Sequence, residues 1–513
     1  MGVIQTKLML KRRARAEKRI NFASFYGGIR TDVVASILPI KYAVKTYNFC
    51  FKNGALTTGL GVSPLTLLSY RTKQFEPVKW KFSYSPERLY LFRAFNGITG
   101  GVGDRLMAFH NGGNTGTGTG KLVWAMINTN IGQFMAIPKL GLFEAPVCAV
   151  NYTDEAHGDS FIFASPMDGL KLWSPRQNNP LSISSAPLVT SMCVHYERVF
   201  ATVWEKGNHI WFSEALDPTK WDATAGDAGY IVLNDKLSGG ANKIISFNNY
   251  LYVIRDYGIT RITAFASQES FSTQHIYSSA NLIRANTVCR CGDLVYFMQT
   301  DGLYAFDGVN VKKIVTGFEG LLLGQNLANA RATFYKGKYC IILNSSLCSS
   351  VKEGYNNTLI CYDVKTGEYD IMCGIFFKDI LGVISDEVER LVAITNTGEE
   401  GAKSEVVQID ESGQVNGTPT MKYWESAFTD LGYSDYEKCI TRLSVQTKYN
   451  CKVVLETEKE SKEILFKGSE AVQSKSVNLR GVMFKIKFIA ETALCEISHP
   501  EITFNLGKPN VCD

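Results

Sequence analysis

The segment SFNNYLYVI, from Ser246 to Ile254, is followed by DYG at residues 256–258 and then by ITRITAF, from Ile259 to Phe265. In both runs β-branched and aromatic residues alternate with polar ones, which is the period of a half-buried strand and not that of a helix. The turns carry Gly, Asn or Asp, the residues that adopt the positive φ of tight hairpin turns. The pattern predicts a strand, a turn and a second strand.

The same unit returns after roughly 45 residues, where CGDLVYF from Cys291 leads through TDG into LYAF, ending at Phe306. Repeats of this length with about four strands each are typical of a β-propeller, in which small sheets stack radially. The chain is therefore predicted to be all-β, with a six- or seven-bladed β-propeller over residues 71–415. Further copies lie at residues 88–93, 104–109 and 122–126, at 160–164 and 169–173, at 198–203 and 209–213, at 338–343 and 358–363, and at 390–394 and 405–409.

Composition limits the class of protein. The chain has 513 residues, 45% of them apolar, and a formal charge of +5, so it is too long for one core and has no charge excess typical of nucleic-acid binding. Its 13 cysteines are an odd number without a Cys-x-x-Cys pair, which argues against a disulfide framework or a zinc site and favours folding in a reducing compartment. We expect no cofactor, no membrane span and no conventional secretion.

Residues 1–21 are predicted to be a basic N-terminal arm with seven cations and one acid, Glu17. Good helix formers predict a short basic helix or an arm. The arm either contacts DNA phosphates or an acidic partner subunit, or it is a solvated terminus. The candidate partner-binding residues are Lys7, Lys11, Arg12, Arg13, Arg15, Lys18 and Arg19.

Two further regions flank the repeats. Residues 22–70 contain short extended pieces between glycine turns, which predicts an extended strap lying across another domain. After Trp424, clean alternation returns at residues 439–445, 451–456, 482–488 and 501–504, with one apolar face and one rich in Lys and Glu. This predicts a separate antiparallel β-sandwich over residues 421–508.

The glycine-rich segment from Asn111 to Lys121 invites comparison with a phosphate-binding loop. Thr115 stands where that motif needs glycine, and Leu122 stands where it needs serine or threonine. A hairpin loop is the better prediction. The six histidines also lack the spacing of a metal site.

Four aspartates, Asp168, Asp256, Asp301 and Asp307, lie beside glycines or in short polar links between strands. Aspartate bonds its own backbone in such places, so we interpret them as turn residues. A glycosidase carboxylate pair stays open as an alternative from sequence alone. Because no nucleophile, base and orienting group occur at a recognisable spacing, the chain is predicted not to be an enzyme.

Several segments together resemble the tail hub, packaged-DNA stabilisation and tail nozzle proteins of tailed bacteriophages. The resemblance covers roughly residues 22–420. The segments that carry it are residues 25–29, 39–43 and 48–59 of the strap, 210–221, 302–308, and 329–335.

The resemblance implies a structural virion protein of the tail, a ring-forming subunit at the DNA exit channel that helps to retain and deliver packaged DNA. It also implies a homo-oligomeric ring, with a hexamer favoured, contacts with the portal, its adaptor or other neck and tail proteins, and non-specific contact with genomic DNA. Such a protein folds in the host bacterial cytoplasm. One alternative is a receptor-binding propeller, which a surface cluster of Trp and Tyr around a shallow pocket would favour. The second is a glycan hydrolase, which needs two facing carboxylates in a central pocket.

Overall fold

The computed structural model describes residues 17–22, 24–34, 38–68, 74–94, 103–111, 120–127, 132–177, 179–205, 207–265, 267–385 and 388–509. The chain divides into two compact units. One spans Gly59–Thr420, and the other combines Met1–Thr58 with Met421–Asp513. Strands are numbered in chain order.

The unit from Gly59 to Thr420 is a β-propeller. Its first five sheets each hold four antiparallel strands in strict chain order. The sheets are β8–β11 (Pro86–Phe92, Arg105–His110, Lys121–Met126, Met135–Ala136), β12–β15 (Cys148–Asp154, Gly158–Ser165, Gly169–Trp173, Leu181–Ile183), β16–β19 (Val189–His195, Arg198–Val203, His209–Phe212, Gly229–Val232), β20–β23 (Ala241–Phe247, Tyr250–Arg255, Gly258–Thr263, Ser272–Ser278) and β24–β27 (Cys289–Cys291, Leu294–Gln299, Gly302–Phe306, Val311–Ile314).

A further sheet of nine strands completes the propeller. Its long strand β31 pairs first with the strand before it and then, after a bulge near Phe377, with the strand after it. The sheet therefore divides at β31, whose two halves belong to two groups of four strands, and β34 and β35 extend the second group. Taken whole the sheet makes six blades, and divided it makes seven. Its strands in order are β28 (Arg331–Tyr335), β29 (Lys338–Leu343), β30 (Asn356–Asp363), β31 (Tyr369–Ser385), β32 (Val388–Asn396), β33 (Glu405–Asp410), β5 (Gly61–Pro64), β34 (Gln414–Val415) and β35 (Thr418–Pro419).

An N-terminal strand closes the propeller. β5 pairs antiparallel with β33, with Val62 opposite Ile409 and Pro64 opposite Val407. Next to it, β6 (Thr66–Leu68) and β7 (Phe75–Pro77) form a two-stranded pair. The first strands of the sheets contact one another, β8 with β12, β12 with β16, β16 with β20, β24 with β28, β28 with β31, and β31 with β8. They therefore surround a central axis.

Burial between neighbouring sheets explains why the sheets stack. Ile162 and Leu172 of one sheet and Val199 of the next are fully buried in one shared cluster. Burying a side chain of this size contributes about 1.5–3 kcal/mol, and a four-stranded sheet in isolation would leave these residues in water. Stacking therefore supplies the stability that no single sheet has.

The prediction of one unbroken strand from Ser246 to Ile254 is wrong. The structure places a two-residue turn at Asn248 and Asn249, with φ of 47° and 63°, between β20 and β21. Asparagine tolerates this left-handed conformation because its short side chain can bond the backbone locally. Apolar and polar residues alternate on both sides of this turn, so the sequence pattern alone did not reveal it.

The second unit is a β-sandwich. It contains β1 (Lys18–Asn21), β2 (Ala43–Tyr47), β3 (Phe49–Lys52), β4 (Ala55–Thr58), β36 (Lys422–Ser426), β37 (Tyr436–Thr447), β38 (Cys451–Thr457), β39 (Ser461–Phe466), β40 (Ser469–Gly481), β41 (Phe484–Ala490) and β42 (Glu496–Pro509). One sheet runs β3-β4-β42-β37-β40, with β1 also paired to β42, and the other runs β2-β36-β41-β38-β39. In the core between them, Trp424 meets Phe25 and Phe488 at ring-centroid distances of 5.1 and 5.7 Å.

The structure corrects three predicted boundaries. The strap over 22–70 does not lie across a finished domain, because its first part supplies β2–β4 to the sandwich and its later part supplies β5 to the propeller. The sandwich therefore needs residues before 59 as well as those from 421 onward. The propeller unit spans 59–420 and not 71–415. Pairings between distant parts of the chain leave no local signal in the sequence.

Helical structure among the described residues is limited to short 3₁₀ turns, at Gln268–Ser270, Ala285–Thr287 and Glu319–Leu322. In the part of the chain that the structure describes, no helix has the length and hydropathy needed to cross a membrane.

Candidate functional site: the connection face of the propeller

Strand direction defines two faces of the propeller. In an antiparallel four-stranded sheet, the turn between the second and third strands and the link to the next sheet emerge on the same side. We call this side the connection face. The turns between first and second strands and between third and fourth strands lie on the opposite face.

Turn aspartates fasten the connection face. The Asp168 carboxylate, in the turn between β13 and β14, accepts hydrogen bonds from the backbone N–H of Phe143 at 3.0 Å and from the Ser165 hydroxyl at 2.8 Å. The Asp256 carboxylate, in the turn between β21 and β22, accepts one from the N–H of Gly240 at 2.7 Å. Each carboxylate joins a turn to the link that precedes its own sheet.

The other two aspartates make local bonds of the same kind. The Asp301 carboxylate accepts hydrogen bonds from the Lys313 ammonium at 2.7 Å and the Tyr304 hydroxyl at 2.9 Å. The Asp307 carboxylate accepts one from the N–H of Val309 at 2.7 Å. The four aspartates lie in turns or short links between strands, as predicted; the expected bond to local backbone is seen at Asp307, whereas Asp168 and Asp256 bond the link before their sheet.

Large apolar side chains are exposed in pairs on this face. Each pair combines a residue of a link with a residue of the next second-to-third-strand turn, and the pairs occur on three successive sheets. They are Phe143 with Met167, Leu188 with Trp204, and Leu237 with Tyr257. Leu237 is 93% exposed and Trp204 is 73% exposed.

Backbone hydrogen bonds hold the two members of a pair side by side. The N–H of Trp204 donates to the carbonyl of Leu188 at 2.9 Å. The N–H of Tyr257 donates to the carbonyl of Ser238, the neighbour of Leu237, at 2.9 Å. Since exposed apolar clusters of this kind mark interaction sites on soluble proteins, the connection face is the candidate interface.

The third pair borders a cavity of about 430 Å³ whose lining includes Asp235, Leu237, Tyr257 and His275. Behind it the fully buried Arg255 donates to the carbonyl of Gly239 at 3.0 Å and pairs with Asp235 at 3.4 Å. The hydrogen bond from Ser238 holds the pKa of Asp235 below its usual value. The cavity has a single aromatic wall residue and lacks the Trp and Tyr cluster that glycan binding would favour.

The residues considered as catalytic or phosphate-binding candidates have identifiable partners where the structure describes them. Asp168, Asp256 and Asp301 lie in turns of three different sheets, and each carboxylate is engaged by hydrogen bonds from its surroundings. Lys121, at the end of the glycine-rich segment, donates to the backbone carbonyl of Leu140 at 2.7 Å; residues 112–119 of that segment lie outside the described residues.

The histidines serve individual packing or hydrogen-bonding roles. His157 pairs with Asp154 at 2.9 Å, and His195 shares a hydrogen bond with the Ser246 hydroxyl at 2.9 Å. His110 packs against the Phe82 ring with a centroid distance of 4.8 Å. Within the described ranges, no group of three or more His, Cys, Asp or Glu residues could hold a metal ion.

The basic arm is described only at its end. Lys18 and Arg19 lie on β1, opposite Phe504 and Thr503 of β42, so the expectation of a helix or a free arm is wrong for these two residues. The Lys18 ammonium lies 5.8 Å from the centre of the Tyr433 ring, within cation–π range, and Arg19 is exposed. The other candidates, Lys7, Lys11, Arg12, Arg13 and Arg15, lie outside the described residues.

Sequence reasoning missed the apolar pairs. The sequence did contain a sign of these pairs. Met167 is the variable residue of a Pro-x-Asp-Gly turn and Trp204 directly follows a strand, and both positions are usually polar. The sequence could not show that these residues lie beside Phe143 and Leu188, since that proximity depends on the antiparallel meander.

Comparison with known proteins adds only distant similarities. No protein-family model matches the sequence, and no curated protein matches it. The chain is similar to BBS1N solved in complex with ARL6DN, with 12% identity and a TM-score of 0.39, covering 64% of this chain and 91% of that one. It is also similar to the Neurospora crassa Pan2 WD40 domain, with 8% identity and a TM-score of 0.34, covering 64% of this chain and 89% of that one. These similarities do not indicate what the chain binds.

Proposed function

We propose that this chain is a structural virion protein of a tailed bacteriophage, a ring-forming tail hub or nozzle subunit at the DNA exit channel. It attaches to the portal, its adaptor or another neck or tail protein, and it helps to retain and deliver packaged DNA without catalysing a reaction. It folds in the host cytoplasm and acts in the virion tail. The sequence resemblance suggests this role, and the exposed apolar pairs on the connection face are the observation that carries it.

The occupant proposed for the connection face is a neighbouring copy of this chain. A ring is built from heterologous contacts that close on themselves, so each subunit needs an apolar surface that is buried only in the ring. Two of the three pairs stand on turns whose aspartates, Asp168 and Asp256, accept hydrogen bonds from the preceding link, and a backbone hydrogen bond joins Trp204 to Leu188. Binding through ordered turns loses little conformational entropy, which suits a permanent assembly.

Introducing charge on this face tests the interface. The double variant Trp204→Glu and Leu237→Glu would place two carboxylates in the buried contact, where desolvation makes them costly. The wild-type chain should have the mass of a ring, most simply six copies, by native mass spectrometry, and the double variant should be monomeric. Val309→Glu is the matched control, because Val309 is 66% exposed but lies on the opposite face.

A wild-type chain that stays monomeric, or a double variant that keeps the wild-type mass, would contradict the proposed interface. Glycan cleavage by the purified protein that disappears in Asp168→Asn, Asp256→Asn or Asp301→Asn would favour the hydrolase instead. Saturable glycan binding that Tyr257→Ala removes from an intact ring would favour the receptor-binding module.

The basic arm is proposed to reach a neighbouring ring or the DNA. Because β1 is part of the sandwich sheet, deletion of residues 1–16 removes Lys7, Lys11, Arg12, Arg13 and Arg15 without removing a described strand. We expect the deleted chain to fold and to form the ring, but to attach more weakly to its neck or tail partner. The difference from the wild type should be largest at low salt and shrink as salt rises, because screening weakens the arm's electrostatic contact in the wild type. Unchanged attachment and DNA retention would rule out the arm's role and leave the ring standing.

A further inference from the structure

The central axis of the propeller carries an excess of positive charge. Arg88 of β8, Lys243 of β20 and Arg331 of β28 lie on first strands, the strands that surround the axis. Asp379, on the axial part of β31, pairs with Arg331 at 3.8 Å. Of these three cations, Arg331 is the one that Asp379 pairs with.

That carboxylate is already engaged by the backbone. Asp379 accepts hydrogen bonds from the N–H of Leu89 at 2.8 Å and from its neighbour Ile380 at 3.0 Å, and its side chain is only 7% exposed. The other acid nearby, Glu87, pairs with Lys378 at 3.5 Å. Neither acid therefore compensates Arg88 or Lys243.

Lys243 is surrounded by thiols rather than by carboxylates. Among the described residues no carboxylate lies within ion-pair distance of its ammonium, and the groups that act on it are Arg331 and the thiols of Cys148, Cys193 and Cys289. Burial lowers the pKa of Lys243, and repulsion from Arg331 lowers it further. Burial also raises the pKa of Cys148 to about 12, so this thiol stays neutral and supplies no negative charge.

Arg331 experiences the same conditions. Burial lowers its pKa, Asp379 opposes that shift, and Arg88 adds repulsion. Arg88 itself donates to the backbone carbonyl of Glu87 at 3.0 Å. Arg331 thus lies close enough to Lys243 and to Arg88 to repel both, and all three belong to the strands that surround one axis.

We propose that the propeller axis binds a small oxyanion of the phosphate or sulfate class between Arg88, Lys243 and Arg331. A tetrahedral oxyanion offers acceptors to two guanidinium forks and one ammonium at once, and charge-assisted hydrogen bonds of this kind are the strong ones. The bound anion replaces mutual repulsion with attraction. This site is independent of the ring proposed above.

Isothermal titration calorimetry of the full chain with inorganic phosphate tests the site. The wild type should bind one phosphate saturably, and phosphate should raise its melting temperature. Lys243→Met keeps the length of the side chain and removes the charge, so it should weaken binding roughly tenfold to hundredfold. Lys312→Met, which removes an exposed lysine of β27, is the control and should bind as the wild type does.

A parallel titration with a nucleoside monophosphate separates the free ion from the phosphate of a nucleotide. Tighter binding of either ligand supports the site and identifies its source. The proposal is overturned if the wild type shows no saturable binding, or if Lys243→Met binds phosphate as tightly as Lys312→Met. It is also overturned if Lys243→Met melts higher than the wild type at saturating phosphate, because the lysine would then be a destabilising group that no anion compensates.

Discussion

The propeller and the sandwich are both antiparallel β-structures, but the chain builds them in opposite ways. Each of the first five propeller sheets takes its four strands from consecutive sequence. The sandwich joins strands separated by almost the whole chain, as when Lys18 of β1 lies opposite Phe504 of β42. The propeller is thus a series of local units, whereas the sandwich depends on the two ends of the chain meeting.

The difference predicts where each unit is vulnerable. A local sheet forms by closing short loops. Pairing distant strands costs more conformational entropy before any stabilising contact forms. The propeller is local everywhere except at its closing strand, β5, which pairs with β33 across more than 300 residues of sequence. Substitutions that weaken the pairing of β5 with β33 should therefore destabilise the propeller, as substitutions in the long-range pairings destabilise the sandwich.

The largest effect is expected in the sandwich core. Trp424 is fully buried against Phe25 and Phe488, so Trp424→Ala should lower the free energy of unfolding by about 3–5 kcal/mol. Urea denaturation followed by hydrogen exchange would assign the loss to one unit. Leu465→Ala, an exposed truncation in the same sandwich, should have little effect. Equal weakening of propeller peptides by Trp424→Ala would contradict the division into two units.

A pH-dependent effect should follow in the propeller. Burial lowers the pKa of His195 to about 4, below its ordinary value of 6.5, so between these values the unfolded chain binds a proton that the folded chain does not. Propeller stability should therefore fall as pH drops from about 6.5 towards 4, by up to roughly 3 kcal/mol from this group.

His195→Gln should reduce that slope in denaturation curves measured across this pH range. A residual slope is expected, because burial also lowers the pKa of His110. His499→Gln in the sandwich should leave the propeller slope unchanged. An unaltered slope in His195→Gln would show that His195 is accessible to protons in the folded state.

The smallest effect concerns closure. A Cβ added at Gly61 of β5 would lie 2.7 Å from the carbonyl oxygen of Gln414 and would also meet the Ser412 hydroxyl, so Gly61→Ala should cost about 1–3 kcal/mol. Hydrogen exchange should increase in β5 and β33 before it increases in β20–β23. Gly207→Ala, whose nearest atom would be 3.6 Å away, is the matched control. Simultaneous loosening of all sheets would mean that closure and blade folding are one cooperative event.

Sequence reasoning succeeded where the signal was local and failed where it was not. Alternation located most propeller strands within a few residues, and the aspartate turns followed from backbone chemistry. It missed the turn at Asn248 and Asn249, since the apolar pattern ran through it. It also assigned Lys18 to a helix or arm, although the partner strand that makes it a strand residue lies near the other end of the chain.

The candidate interface and the axial cluster show the same limit. Trp204 and Leu237 could be identified as apolar residues in unusual positions, but Arg88, Lys243 and Arg331 look like ordinary polar positions of alternating strands. Only the closed ring of first strands brings them around one axis.

The sequence by itself determined an all-β chain, the repeated hairpins and the alternation of the C-terminal strands, because these depend on residues within a few positions of one another. Only the tertiary structure decided that β1–β4 complete the sandwich, that β5 closes the propeller, and that three cations surround its axis. These features arise from hydrogen bonds and charges between residues far apart in the chain, and no local period records such pairings.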